Sequence, residues 1–177
     1  MSPSSLQRLR DAIRDVPDFP KPGILFKDIT PVLADGALLN LALDAMAEVV
    51  EGQKVDKVVG IDARGFIFGA PLAARLGCGF VPARKKGKLP WRTRSVDYAL
   101  EYGTASLEMH EDAVLPGEKV LLADDLLATG GTAAAALALL EQTGATVLGS
   151  VFFIELAFLD GRGKVRPFGP VQAVVTF

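Results

Sequence analysis

The sequence predicts an α/β fold: a central, mostly parallel sheet flanked by helices. Three observations predict it. From Lys57 onward, short apolar runs alternate with segments of helical period. Glycine, proline and charged residues punctuate the runs at nearly every junction. The chain has 177 residues, enough for one domain that buries ~70% of its unfolded surface without disulfide or metal.

Taken in order, residues 4–14 read as a short helix with Leu6, Leu9 and Ile13 on one side. "VPDFPKPG" ends it with three prolines and a glycine. Residues 37–51 read as an amphipathic helix, with Leu38, Leu41, Ala45 and Val49 recurring at helical spacing. "KVVGI" (57–61) is a strand, "DARG" a turn, 66–76 a helix and "GFVPAR" a strand. Residues 85–97, "KKGKLPWRTRSVD", are basic and aperiodic, and read as a long mobile loop of the kind that often forms a lid. "YALEYG" alternates as a strand would, and "PGEK" is a turn. Residues 120–123 form a buried strand, 132–142 a helix and 146–156 a strand. "LDGRGK" is a turn and "VQAVVTF" a last strand. There is no internal repeat or low-complexity tract.

Half the residues are hydrophobic and the formal net charge is -2. That composition is globular, and it argues against a general nucleic-acid binder with a basic face. Cys78 is the only cysteine, so an internal disulfide is excluded, as suits a reducing cytoplasm; its apolar neighbours make it core filler. The first twenty residues lack a signal-peptide core, and no apolar run approaches the ~20 residues that span a bilayer. A soluble, cytoplasmic protein is expected, without membrane partners.

In parallel sheets, ligands bind beyond the carboxyl ends of the strands. Three motifs fall there: "DARG", "RKKGK" and "DDLLATGGT". In the last, Ala128, Thr129, Gly130, Gly131 and Thr132 form a turn in which glycines let backbone N–H groups converge. Thr132 suits the N-cap of the next helix, and amides plus the helix dipole make a phosphate site. A plain strand-to-helix turn is the bland alternative. Asp124 and Asp125 weigh against it, because carboxylates beside a phosphate must meet sugar hydroxyls, a metal ion, or both. The pair and turn together suit a ribose 5-phosphate. Neither the G-x-x-x-x-G-K-[ST] nor the G-x-G-x-x-G pattern is present.

"VLLADDLLATGGT" resembles the phosphoribosyl-diphosphate motif of the type I phosphoribosyltransferase family. "FPKPGILFKDITPVL" (19–33), "GIDARGFIFGAPLA" (60–73), "RKKGKLP" (84–90) and "YALEYGTASLEMH" (98–110) resemble, in order, segments of the members that accept adenine. The likeness runs from about residue 19 to 156. It implies the type I fold over a single domain of residues 1–177, with a small N-terminal hood (1–35) and a flexible lid loop (85–98). The implied reaction moves 5-phosphoribosyl from phosphoribosyl diphosphate to adenine, giving AMP and diphosphate, with Mg²⁺ arriving on the phosphates rather than on protein side chains.

By the same resemblance, residues 128–132 hold the 5-phosphate, while Asp124 and Asp125 hold the ribose hydroxyls. Asp62, Ala63, Arg64, Arg84, Lys85 and Lys88 meet the diphosphate, Asp62 and Ala63 through backbone N–H groups beside a cis peptide bond. Many family members carry Ser at the position of Ala63. Leu25, Phe26, Arg64 and Leu126 make the adenine slot, with Phe26 stacking on the base. Glu101 is the proton acceptor, and Tyr98 and Tyr102 order the lid. A homodimer is also implied. Another purine base, or a non-catalytic nucleotide sensor, are the rival readings. "ILFKDI" and "LEYG" point to adenine, and the chain has no basic helix to spare for a regulator. His110, the lone histidine, is expected to pack or to meet a neighbouring subunit.

Overall fold

The structure, a computed structural model, describes residues 1–99 and 104–177. Helix α1 (Pro3–Ala12) is capped by the Ser2 hydroxyl, which accepts from the Ser5 N–H. It leads into a two-stranded antiparallel hairpin, β1 (Arg14–Pro17) with β2 (Leu25–Asp28). The sequence shows this proline-rich stretch only as a break. Its strands are four residues each, β1 largely exposed and β2 mostly half-buried, too short for a periodicity to register. Helices α2 (Thr30–Ala34) and α3 (Gly36–Ala47) follow, and Asp35 caps α3 by accepting from the N–H groups of Ala37 and Leu38. Ala42, Leu43, Ala45 and Met46 are buried in α3, whereas Leu38 and Leu41 are only half-buried. The inward stripe is therefore rotated from the expected one, since α3 is apolar nearly all round and packing chooses the face.

The main sheet has seven strands. Strand β3 (Lys57–Ile61) lies at its centre, followed by α4 (Gly65–Leu76) and β4 (Gly79–Lys85). Next come β5 (Thr93–Ala99), β6 (Thr104–His110) and β7 (Lys119–Leu127). Helix α5 (Gly131–Glu141), β8 (Thr146–Glu155), the short α6 (Arg162–Val165) and β9 (Val171–Thr176) complete the chain. The spatial order is β5-β6-β4-β3-β7-β8-β9. From β4 through β9 the pairs are parallel; β5 and β6 extend the edge antiparallel. One core lies on each face. Val58, Leu121 and Ala123 point towards α1, α3 and α4, while Val59, Val120 and Leu122 point towards α5 and the β5–β6 hairpin.

Two expectations need correction here. The supposed loop 85–97 is extended strand from Thr93 onward, because β6 offers a partner with which every residue from Thr93 to Ala99 is in register. Strand β7 does not stop at Ala123 but runs to Leu127, so Asp124 and Asp125 belong to the strand itself. Among the described residues, no helix is long and apolar enough to cross a membrane.

The hood hairpin is tied to the far end of the chain. The Phe177 ring lies under the Lys27 ammonium at 4.0 Å and the Arg10 guanidinium at 4.8 Å, and its N–H and C=O pair with Glu155 and Ala157. Since β9 ends at the carboxyl edge of the sheet, this contact puts the hood at that edge.

Candidate active site

Because β4, β3 and β7 are parallel neighbours, the turns that follow them emerge side by side. A cleft of about 390 Å³ opens between them. Asp62, Ala63, Arg64, Lys85, Asp124, Asp125, Leu126 and residues 128–132 line it, with Tyr98 from β5 forming part of the wall.

The phosphate turn is shaped by contact between two glycines. Gly130 has φ +76°, and a Cβ there would lie 2.3 Å from the Gly161 carbonyl oxygen. A Cβ on Gly161 would lie 2.1 Å from the Ala128 carbonyl oxygen. Only glycine fits either place. Gly130, not Thr132, is the N-cap of α5, and no side chain caps it. The expectation for Thr132 is thus corrected by two residues: the left-handed Gly130 starts the helix early. The first N–H groups of α5 have no intrahelical partner and face an anion site with the positive end of the helix dipole.

The acidic pair sits low in this cleft. Asp125 is only 6% exposed and pairs with Arg64, Nε to Oδ2 at 2.8 Å. Asp124 accepts the Asp125 N–H through Oδ1 at 2.9 Å. A Cβ on Gly65 would come within 2.6 Å of that same oxygen, so Gly65 makes room for the carboxylate. Burial pushes the Asp124 carboxyl well above the usual aspartate range, and the neighbouring Asp125 charge pushes it further. Burial also raises Asp125, against the lowering effect of Arg64. Burial therefore resists ionisation of the pair, and hydroxyl donors or a nearby cation would favour it.

Around this floor the expected site residues divide. The Asp62–Ala63 peptide is cis. The Asp62 N–H, expected to serve the diphosphate, donates to the Ala83 carbonyl at 2.9 Å; both Asp62 and Ala63 line the cleft. Arg84 turns to Asp62, Nε to Oδ2 at 2.7 Å, and to the Lys88 carbonyl at 3.1 Å. Of the expected cations, Arg64 and Lys85 line the cleft and Arg84 and Lys88 do not. The Arg64 guanidinium stands 5.7 Å from the centre of the Phe26 ring, which links the hood to the acidic pair. Phe19 meets Phe26 edge to face at 5.1 Å, and Leu25 is half exposed beside it. Glu101 and Tyr102 lie outside the described residues.

Sequence reasoning missed Gly65, Gly161 and Glu108. The paired glycines of "DGRG" were the available signal for Gly161; nothing local marks Glu108. His110 packs edge-on to Trp91 at 6.4 Å, and its Nε2 is buried without a partner among the described residues.

Among the described residues, no three His, Cys, Asp or Glu side chains gather as a metal cage. Asp124 and Asp125, the latter already held by Arg64, would offer only a partial set of oxygens, which fits a magnesium ion that would be carried in on a ligand's phosphates.

Comparison with known proteins gives a consistent picture. The family model described as phosphoribosyl transferase domain matches residues 30–167. The adenine phosphoribosyltransferase of Acidothermus cellulolyticus is 57% identical over 166 residues, covering 93% of this chain and 94% of its own. A crystal structure of adenine phosphoribosyltransferase from Rhodothermus marinus superposes with a TM-score of 0.95 at 52% identity, covering 99% of this chain and 100% of its own. The Saccharomyces cerevisiae enzyme, solved with an imino-altritol bisphosphate and adenine, superposes with a TM-score of 0.91 at 42% identity, over 97% of this chain and 98% of its own.

Proposed function

The chain belongs to the phosphoribosyl transferase family, and from that premise we propose that it transfers 5-phosphoribosyl from phosphoribosyl diphosphate to adenine, releasing diphosphate and forming AMP. The observation that carries this reading is the floor of the cleft. An acid pair near the end of β7, Asp125 buried and Asp124 half-buried, is followed five residues later by an uncapped, glycine-shaped helix start. Hydrogen-bond donors for an anion and acceptors for hydroxyls thus line one cleft, which supports a sugar phosphate as ligand.

In this reading the 5-phosphate sits on the first amides of α5 and the hydroxyls of Thr129 and Thr132. Asp124 and Asp125 accept from the ribose hydroxyls, and Arg64 keeps Asp125 oriented. The bond between the sugar and its diphosphate breaks as positive charge grows on the ring. Catalysis then consists of position and charge: anionic groups beneath the ring, cations around the departing diphosphate. Lys85 and Arg64 are the cations placed to receive it. Magnesium bound with the diphosphate supplies further charge neutralisation. Adenine enters against Phe26 and Leu126. Glu101 takes the proton shed by the imidazole ring of the base, the role that its family position assigns. A homodimer and a cytoplasmic location belong to the same proposal.

The test is a diphosphate-release assay with phosphoribosyl diphosphate and a panel of bases. Adenine should turn over at least ~10³-fold more efficiently than hypoxanthine or guanine, because a site built for the exocyclic amine leaves polar groups unpaired against a carbonyl. An oxopurine preference would overturn the assignment of the base. Binding without diphosphate release would favour a sensor.

A further inference from the structure

We propose that Glu108 is a positioning residue for the diphosphate half of the reaction, holding the basic turn after β4 in the shape that aims Lys85 into the cleft. The inference rests on the reading above. Glu108 lies on β6, directly opposite Arg84 in the ladder, and is only 7% exposed. A carboxylate here is unexpected, since the neighbouring turn must attract an anion and a free negative charge would oppose it. Its charge is directed elsewhere. Glu108 Oε2 accepts the Gly87 N–H at 3.0 Å.

Gly87 has φ +78°, and a Cβ there would meet nothing within 4 Å. Glycine is therefore required at that point by backbone conformation alone. The turn packs Lys85, Lys86 and Lys88 into four residues, and their mutual repulsion favours opening it. Four ties oppose that, one of them from the Lys86 N–H to the Ser106 carbonyl at 3.1 Å. The Lys88 N–H donates to the Lys85 carbonyl at 3.3 Å, and Arg84 donates to the Lys88 carbonyl at 3.1 Å. The fourth, from Gly87 to Glu108, is the only one of these with a charged acceptor, and that acceptor is largely buried. Lys85 is the residue of this turn that lines the cleft. Glu108 does not face the cleft among its lining residues, so it acts through the turn and touches no reacting atom.

The experiment is steady-state kinetics on the full chain with both substrates varied, alongside hydrogen exchange at the Gly87 amide without substrate. Glu108→Ala should raise KM for phosphoribosyl diphosphate roughly ten-fold and leave KM for adenine within about two-fold. Glu108→Gln, which keeps a carbonyl acceptor, should recover most of that loss. Gly87→Ala, which leaves the carboxylate and meets no neighbour, should raise the same KM and stands in if Glu108→Ala fails to fold. Exchange at Gly87 should quicken in Glu108→Ala and not in Glu108→Gln. Equal losses in both KM values, or unchanged Gly87 exchange in Glu108→Ala, would overturn the proposal. Absent turnover by the unaltered protein would instead sink the functional reading, and the exchange result would still judge Glu108.

Discussion

At the phosphate turn, a methyl group on Gly130 would press within 2.3 Å of the Gly161 carbonyl; in the hood, Phe19 and Leu25 stand 51% and 49% exposed. The two ends of the same cleft are built differently. The sugar-phosphate end is set by strands buried on both faces and by glycines with no alternative. The end proposed for the base hangs on a hairpin of two four-residue strands, an edge-to-face aromatic pair and cations over Phe177. A charged, fixed-geometry substrate needs donors held before it arrives. A flat apolar base needs only a slot that can open, and few contacts make opening cheap.

The most damaging way to break this contrast is Gly130→Ala. It combines a left-handed φ with a backbone clash, so turnover should fall ~10²-fold or more through the phosphoribosyl substrate, with little change for adenine binding. If kinetics with both substrates varied showed a loss below about three-fold, the floor would be more pliable than its packing implies.

A smaller and two-sided effect is expected for Asp124→Asn. KM for phosphoribosyl diphosphate should rise by roughly ten-fold as a charged acceptor is lost. Stability should move the other way. Because the folded carboxyl titrates above the ordinary value of 3.8, its contribution to stability is full at acid pH and is lost as pH rises through the raised value. The Tm advantage of the variant over the unaltered protein should therefore be absent in acid and grow towards neutral pH. Each kcal/mol relieved is worth roughly 2–4 °C for a chain of this size. A constant Tm difference across pH would refute the buried-charge account.

The mildest of the three is Phe26→Ala. An aromatic contact is worth ~0.5–1.5 kcal/mol beyond its area, so KM for adenine should rise by about two- to ten-fold, with the phosphoribosyl substrate unaffected. An equal rise for both substrates would mean that the Arg64 bridge between Phe26 and Asp125 joins the two ends more firmly than the hood's exposure implies.

Much of this molecule was legible before any coordinates. The strands at 57–61 and 146–155 and the helices around 66–76 and 132–141 follow from apolar runs and their punctuation, because each is stabilised by residues close in sequence. So was the cluster of motifs at the carboxyl ends of parallel strands, together with the acid pair and its glycine turn. The hood hairpin and β5 were hidden, since their strands exist only through pairing with distant partners. Hidden too were the departure of Arg84 towards Asp62 and the hold of Gly161 on Gly130. Sequence by itself thus determined which chemical groups the chain carries to one edge of its sheet. Only the tertiary structure decided which of them face the cleft and which brace it, because that choice is made by close packing and hydrogen bonds between residues far apart along the chain.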